Sequence, residues 1–231
     1  VELEQYEEAV ADYSAALNLD ENLTAAHDGR GDAYTALEQY EQALADYDAV
    51  VRLDSEAADL YLRRARVHEQ LQQHEQAVAD YDKVDELGAG DGAVYYERGQ
   101  ANQALERYEE ALAAYTRAAE LKPEDAAIFS DRGDVNRMLN HPSEALVDYD
   151  AAVALGAMSA AIYTNRGEVR QAEGMLEEAL ADYEEAIKLD PEKAALYFRR
   201  GKTHEALGQY DEALVDMARF IELDPENGAA Y

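Results

Sequence analysis

Cysteine and tryptophan are absent from this chain of 231 residues, proline occurs four times, and lysine and arginine together number 20 against 51 acidic residues. Without cysteine there is no disulfide, no thiolate nucleophile and no cysteine-based zinc site, though a helical protein needs none of these to fold. No apolar run approaches the roughly 18 residues of a membrane-crossing helix, so no membrane insertion is expected. The shortage of cations leaves a net charge of -31. Charge of that sign repels phosphate backbones and anionic lipid and argues against nucleic-acid partners. No signal peptide is visible, which favours the cytoplasm, although Val1 falls inside a repeat. Chemistry-bearing motifs are missing too: there is no His-Glu-x-x-His, phosphate loop or Gly-x-Ser-x-Gly, and the five histidines are scattered. The acidic turn Asp20-Glu21-Asn22 lacks the spacing and central glycine of a calcium loop. The expectation is a protein without cofactor or metal that is not an enzyme, unless a catalytic domain lies outside this segment.

What the chain has is a period of 34 residues. One column holds Gly31, Ala65, Gly99, Gly133, Gly167 and Gly201. A second holds Ala9, Ala43, Ala77, Ala111, Ala145, Ala179 and Ala213; four residues on come Tyr13, Tyr47, Tyr81, Tyr115, Tyr149, Tyr183 and Met217. A third, from Leu19 through Leu53, Leu87, Leu121, Leu155 and Leu189 to Leu223, never varies. Such a period predicts a stack in which each unit touches its neighbours.

Within 24–57, His27, Arg30, Gly31, Tyr34 and Leu37 recur at helical steps, predicting a first helix, A. Tyr40, Ala43, Leu44, Tyr47, Val50, Val51 and Leu53 predict a second, B. The short join at Glu38 and Gln39 makes them an antiparallel hairpin. Helix B is predicted to stop at Pro123, Pro191 and Pro225, and at Gly88 and Gly156 through a left-handed cap; Pro142 is predicted to open one. The boundaries are a helix B at 1–23, full repeats at 24–57, 58–91, 92–125, 126–159, 160–193 and 194–227, and the start of another at 228–231. The fold class is all-α, an α-solenoid of antiparallel helix pairs. The uncapped ends invite head-to-tail self-association, which gives an architectural alternative for its role.

Mid-helix glycine costs about 1 kcal/mol against alanine, so the glycine column needs a packing reason. Gly31 facing Ala43 across the hairpin would supply one, and enlarging Ala111 or Ala145 to Leu should then cost roughly 1–3 kcal/mol. Fixed columns of arginine (Arg30, Arg64, Arg98, Arg132, Arg166, Arg200) and aspartate (Asp12, Asp46, Asp80, Asp148, Asp182, Asp216, with Ala114 as exception) predict a ladder of ion pairs, within or between repeats. Glu173 stands in a leucine column and predicts a frayed helix end. Glu7-Glu8, Glu41, Glu75, Glu109-Glu110, Glu144, Glu177-Glu178 and Asp211-Glu212 fall in the first turns expected of B helices, where they complement the helix dipole. The remaining excess of acid points to a basic partner, high-salt adaptation or a device for solubility.

These columns resemble the tetratricopeptide repeat over the whole length of the chain, with arginine where the family usually has leucine at the seventh position. The resemblance implies a right-handed superhelical α-solenoid and a protein-interaction scaffold whose helix A faces line a concave groove for a peptide or protein partner. Carried onto this sequence, the groove positions are Asp28, Asp32, Leu62, Arg63, Arg66, Tyr96, Gln100, Gln103, Asp131, Asp134, Asn165, Glu168, Phe198, Arg199 and Lys202. Tyr96 and Phe198 are the expected exposed aromatic anchors. A basic partner is expected against Asp28, Asp32, Asp131 and Asp134. The family's clamp for chaperone tails does not fit, since its fifth position is never basic here and its ninth never asparagine.

Overall fold

A computed structural model of the chain describes residues 2–53 and 56–228. The described residues are helical hairpins and turns, falling into two compact units, 1–121 and 122–231. The first holds α1 (Glu2–Leu19), α2 (Thr24–Ala36), α3 (Tyr40–Leu53), α4 (Ala58–Gln70), α5 (His74–Glu86), α6 (Gly92–Ala104) and α7 (Tyr108–Leu121). The second holds α8 (Ala126–Met138), α9 (Pro142–Ala154), α10 (Ala160–Ala172), α11 (Leu176–Leu189), α12 (Ala194–Ala206), α13 (Tyr210–Leu223) and the short α14 (Pro225–Gly228). Even numbers from α2 to α12 are A helices; odd numbers are B helices. Within each unit, successive helices pack together. The expected repeat start at 228–231 lies, from 229 onward, outside the described residues.

The turns follow one rule that the sequence shows only faintly. In all six hairpins the residue after the A-helix cap is left-handed: Glu38, Gln72, Glu106, Asn140, Gly174 and Gly208 have φ of 56–79°. Each turn closes by a bond from the following N–H to a carbonyl five residues back, as in Gln39 to Tyr34 at 2.8 Å and Met175 to Arg170 at 2.8 Å. Gly88 (φ 73°) and Gly156 (φ 94°) make the same closure at the ends of α5 and α9, as their position predicted. Pro142 is the first residue of α9, where its missing N–H costs nothing.

The repeat core is aromatic. Tyr47, Tyr81, Tyr115, Tyr149 and Tyr183 are at most 1% exposed, and the alanine column beside them is closed to solvent at Ala43, Ala77, Ala111, Ala145 and Ala179. The glycine column answers to the tyrosines rather than to the alanines. A Cβ on Gly31 would stand 2.7 Å from Tyr47 Cε1, on Gly99 2.5 Å from the Tyr115 ring, and on Gly133 2.9 Å from Tyr149 Cε1. The ring packs directly against the A helix at this position, and glycine makes room for it.

Three expectations need correcting. α10 runs to Ala172 and caps at Glu173 with φ -81°, as the leucine-capped A helices do, because Gly174 closes the turn whatever precedes it. α1 is one helix from Glu2, so Glu7 and Glu8 sit past its first turn rather than at its start. The invariant leucine column is mostly exposed: Leu19 is 91% and Leu53 and Leu121 are 44% accessible, while Leu87 packs partly buried against the core around Tyr81.

Candidate functional site: the A-helix faces and their ion-pair ladders

Two ladders of charge order the side chains around the groove positions. The first joins each A helix to its own B helix. Arg30, Arg64, Arg132, Arg166 and Arg200 each donate through Nε and Nη2 to the aspartate sixteen residues on, Asp46, Asp80, Asp148, Asp182 or Asp216, at 2.5–3.1 Å. All five aspartates are buried. The forked guanidinium matches the two carboxylate oxygens, which is why arginine holds this column. The third nitrogen, Nη1, reaches back to the preceding B helix: Arg30 to Ser14 at 3.0 Å, Arg64 to Asp48 at 2.7 Å, Arg166 to Asp150 at 2.7 Å. One arginine thus ties three helices. Repeat 92–125 lacks this rung: with Ala114 in place of aspartate, Arg98 turns to Asp82 at 2.6 Å and its Nε is buried without a hydrogen bond.

The second ladder runs between successive A helices, from a groove position to the one 31 residues on. Arg63 on α4 lies 2.9 Å from both Asp32 oxygens and from Asp28 on α2, and 2.9 Å from Asp59 one turn back. Arg66 forks onto Glu97 of α6 through bonds of 2.9 Å. In the second unit Asn165 donates to Asp134 at 2.7 Å, and Arg199 to Glu168 at 2.5 Å. Core tyrosines reach the same acids: Tyr47 donates to Asp32 at 2.7 Å and Tyr149 to Asp134 at 2.6 Å. Burial, with the neighbouring carboxylate, holds both phenols well above the ordinary tyrosine range. Burial alone would lower Arg63, but its bond to Asp32 and the charges of Asp32 and Asp28 raise it.

The predicted groove residues therefore fall into local sets. Asp28, Asp32 and Arg63 form one, and Asp134 with Asn165 and Glu168 with Arg199 form others. Leu62 packs at the edge of the core around Tyr61 and Tyr81. Tyr96 and Phe198 are half-buried rather than exposed, since each rests on a core ring: Tyr96 on Tyr115 at 5.7 Å and Phe198 on Phe220 at 5.3 Å. Gln103 accepts from Tyr115 at 2.8 Å, Lys202 pairs with Glu205 at 2.7 Å, Gln100 is exposed and Asp131 half-buried on α8. Sequence reasoning missed Asp59, whose spacing of four residues from Arg63 was the available signal, and the crevices between A helices.

Two of those crevices are concave features of the A-helix faces. One, of about 540 Å³ between α2 and α4, has walls of Ala36, Tyr40, Tyr47 and Val67 beneath the Asp32–Arg63 pair. Another, of about 220 Å³ between α8 and α10, is lined by Pro142, Val169 and Ala172 with Arg137, Glu168 and Asn140 at its rim. Arg137 Nε is buried there without a hydrogen-bond partner. His27 bridges Asp46 at 2.7 Å and the Glu21 carbonyl at 3.0 Å. Among the described residues no three His, Cys, Asp or Glu gather as a metal site, and no helix is long and apolar enough to cross a membrane.

Hairpins of fixed length, a tyrosine core and successive packing define an all-α repeat solenoid. Family models for the tetratricopeptide repeat match residues 1–23, 31–72, 58–87, 92–125, 171–208 and 194–227. The chain belongs to the tetratricopeptide-repeat family, a family of protein-interaction scaffolds. No curated protein matches it significantly. Among solved structures it is similar to the C-terminal part of a TPR repeat-containing protein from Cytophaga hutchinsonii, with a TM-score of 0.73 at 14% identity over 87% of this chain and 80% of that one. It is also similar to MamA of Desulfovibrio magneticus RS-1, with 0.68 at 21% identity over 73% and 95%. Pseudomonas aeruginosa pilF gives 0.66 at 20% identity over 90% and 94%. At these identities the likeness is one of fold.

Proposed function

We propose that this chain is a non-catalytic scaffold that binds an extended peptide or protein segment along its A-helix faces. In this reading an apolar side chain of the partner is anchored between α2 and α4, and a basic one lies beside it. The observation that carries the reading is the crevice under Asp32 and Arg63. Its walls are mostly apolar, and of the two arginines that line it Arg63 is held by three carboxylates, Asp28, Asp32 and Asp59, and Arg66 by Glu97. The local excess of negative charge matches a lysine or arginine of the partner, and the overall charge of -31 steers such a partner inward. Because the rim side chains are already bound to one another, little conformational entropy is lost when a ligand arrives.

A random peptide library displayed on phage and selected on the immobilised protein tests this. Enriched peptides should pair a basic residue with an aliphatic or aromatic one, and their affinity should fall as salt rises. Asp59→Lys, on an exposed side chain, should weaken them about tenfold. Acidic or composition-neutral winners, or winners indifferent to Asp59→Lys and to Ala36→Glu, would refute the reading.

A further inference from the structure

The repeat at 92–125 keeps the donors of the within-repeat ladder but not its acceptor. In 126–159 the Asp148 carboxylate accepts from Nε and Nη2 of Arg132 at 2.6–3.1 Å and from Nδ2 of Asn136 at 2.9 Å. In 160–193 Asp182 accepts from Nε and Nη2 of Arg166 and, from the column of Asn136, Nη1 of Arg170 at 2.8 Å. One period before Arg132, Asn136 and Asp148 stand Arg98, Asn102 and Ala114. Both donors remain, and the Ala114 methyl ends where the carboxylate would begin.

The donors show the loss. Arg98 Nε is buried without a hydrogen-bond partner. Arg98 Nη2 lies 2.6 Å from Asp82 Oδ1, yet that oxygen is also buried without a hydrogen bond, so charge holds the pair and no N–H is aligned on it. The matching contacts elsewhere are hydrogen bonds of 2.7 Å, from Arg64 to Asp48 and from Arg166 to Asp150. Asp85, 3.8 Å from Arg98 Nη1, accepts the Tyr95 hydroxyl. Asn102 is 2% exposed and gives Nδ2 to the Arg98 carbonyl of its own helix at 3.0 Å, the local bond that competes with a partner across the hairpin. Ala114 is 4% exposed, so an acceptor there would act away from bulk water, where a charge-assisted bond is strong. Arg64 and Arg166 each stand between an aspartate of their own hairpin and one of the preceding B helix. Arg98 has acids on the preceding helix alone, so one more negative charge restores the balance of its sisters within a chain of net charge -31.

We propose that the step between Arg98, Asn102 and Ala114 binds a small monoanion, chloride or formate in size, which accepts from Arg98 Nε and Asn102 Nδ2 as Asp148 does from Arg132 and Asn136. This goes beyond the groove reading and stands independently of it. The probe is formate, with chloride in a parallel arm, each replacing gluconate at constant ionic strength. The full chain is followed through the Arg98 Nε–Hε signal in proton–nitrogen NMR spectra. The signal should move saturably, and at an anion concentration ten times the dissociation constant the amides of α6 and α7 should exchange about tenfold more slowly. Saturation by either anion supports the proposal, and the arm that saturates at the lower concentration names the ligand. Acetate should bind more weakly than formate and propionate not at all, because the added carbons meet the Ala114 methyl. In Ala114→Asp the signal should stand at its moved position without added anion and no longer respond. The Arg132 Nε–Hε signal, whose acceptor Asp148 is in place, should stay still throughout. The proposal is overturned if neither anion gives saturable movement, if Arg132 moves as Arg98 does, if Ala114→Asp responds like the parent, or if propionate binds as well as formate. Should Ala114→Asp fail to fold, the size series in the parent chain decides by itself.

Discussion

Replacing Asp182 with Ala should loosen repeat 160–193 by about 3 kcal/mol, and the number follows from what its carboxylate holds. Asp182 is 2% exposed and accepts Nε and Nη2 of Arg166, the latter at 2.5 Å, and Nη1 of Arg170 at 2.8 Å. Removing one partner of a buried pair costs about 3–5 kcal/mol, because the remaining charge stays desolvated. The lower end applies, since Asp150 still reaches Arg166 at 2.7 Å and Arg170 at 3.2 Å while itself 55% exposed, and Ala gains a few tenths in helix propensity. In a repeat array the loss is local, so the assay is hydrogen exchange resolved by peptide rather than a global melt. Amides of α10 and α11 should exchange roughly 100-fold faster, at about 1.4 kcal/mol per decade. A change below about fivefold would refute the claim that the ladder stabilises the hairpin. The companion variant Arg166→Met/Arg170→Leu/Asp182→Leu should recover most of the loss, because apolar groups of similar volume leave no charge stranded. If the triple variant were as loose as the single, the cost would lie in packing instead.

Ala114→Asp should complete the missing rung, satisfy the buried Nε of Arg98 and slow exchange in α6 and α7 by about 1 kcal/mol; faster exchange there would show that the orphaned nitrogen is no burden. Glu38→Gly, at a φ of 58°, should stabilise its hairpin by about 0.5–1 kcal/mol in urea titrations, against the usual loss for glycine on a surface. Burial raises Tyr47, Tyr81, Tyr149 and Tyr183 above the ordinary value, so the fold favours their neutral form. That stabilisation is complete below the unfolded value near ~10 and is lost as pH climbs past it, so phenolate absorbance from these four should appear together with loss of helix. Ala145→Leu should cost roughly 1–3 kcal/mol by overpacking a site closed to solvent, and an unchanged melt would count against tight packing there.

The period of the chain made most of the fold legible, because residues that recur every 34 positions must meet the same neighbours. Helix B ends at Leu121, Leu189 and Leu223 followed the proline signals, and the glycine caps at Gly88 and Gly156 followed theirs. The left-handed turn residue was harder to read. Its column contains Asn140, Gly174 and Gly208, but Glu38, Gln72 and Glu106 in the same column conceal a backbone requirement that only three members advertise. The glycine column was visible while its cause was not, since what crowds Gly31 is a tyrosine sixteen residues away across the hairpin. Among the groove residues, the family resemblance presented Asp32 as a charge for a basic partner and Glu168 as a groove position. Each is bound to an arginine 31 residues on. That pairing depends on the step from one A helix to the next.

By itself the sequence determined the repeat length, the helical hairpin, the family and the places where glycine, alanine and tyrosine must alternate, since all of these are local or periodic constraints. Only the tertiary structure decided that Arg30, Arg64, Arg132, Arg166 and Arg200 pair within the repeat through two nitrogens and, at Arg30, Arg64 and Arg166, across it through the third. It alone decided that the groove acids are already answered by their neighbours. Those outcomes are set by distances between helices, which a one-dimensional pattern implies but does not measure.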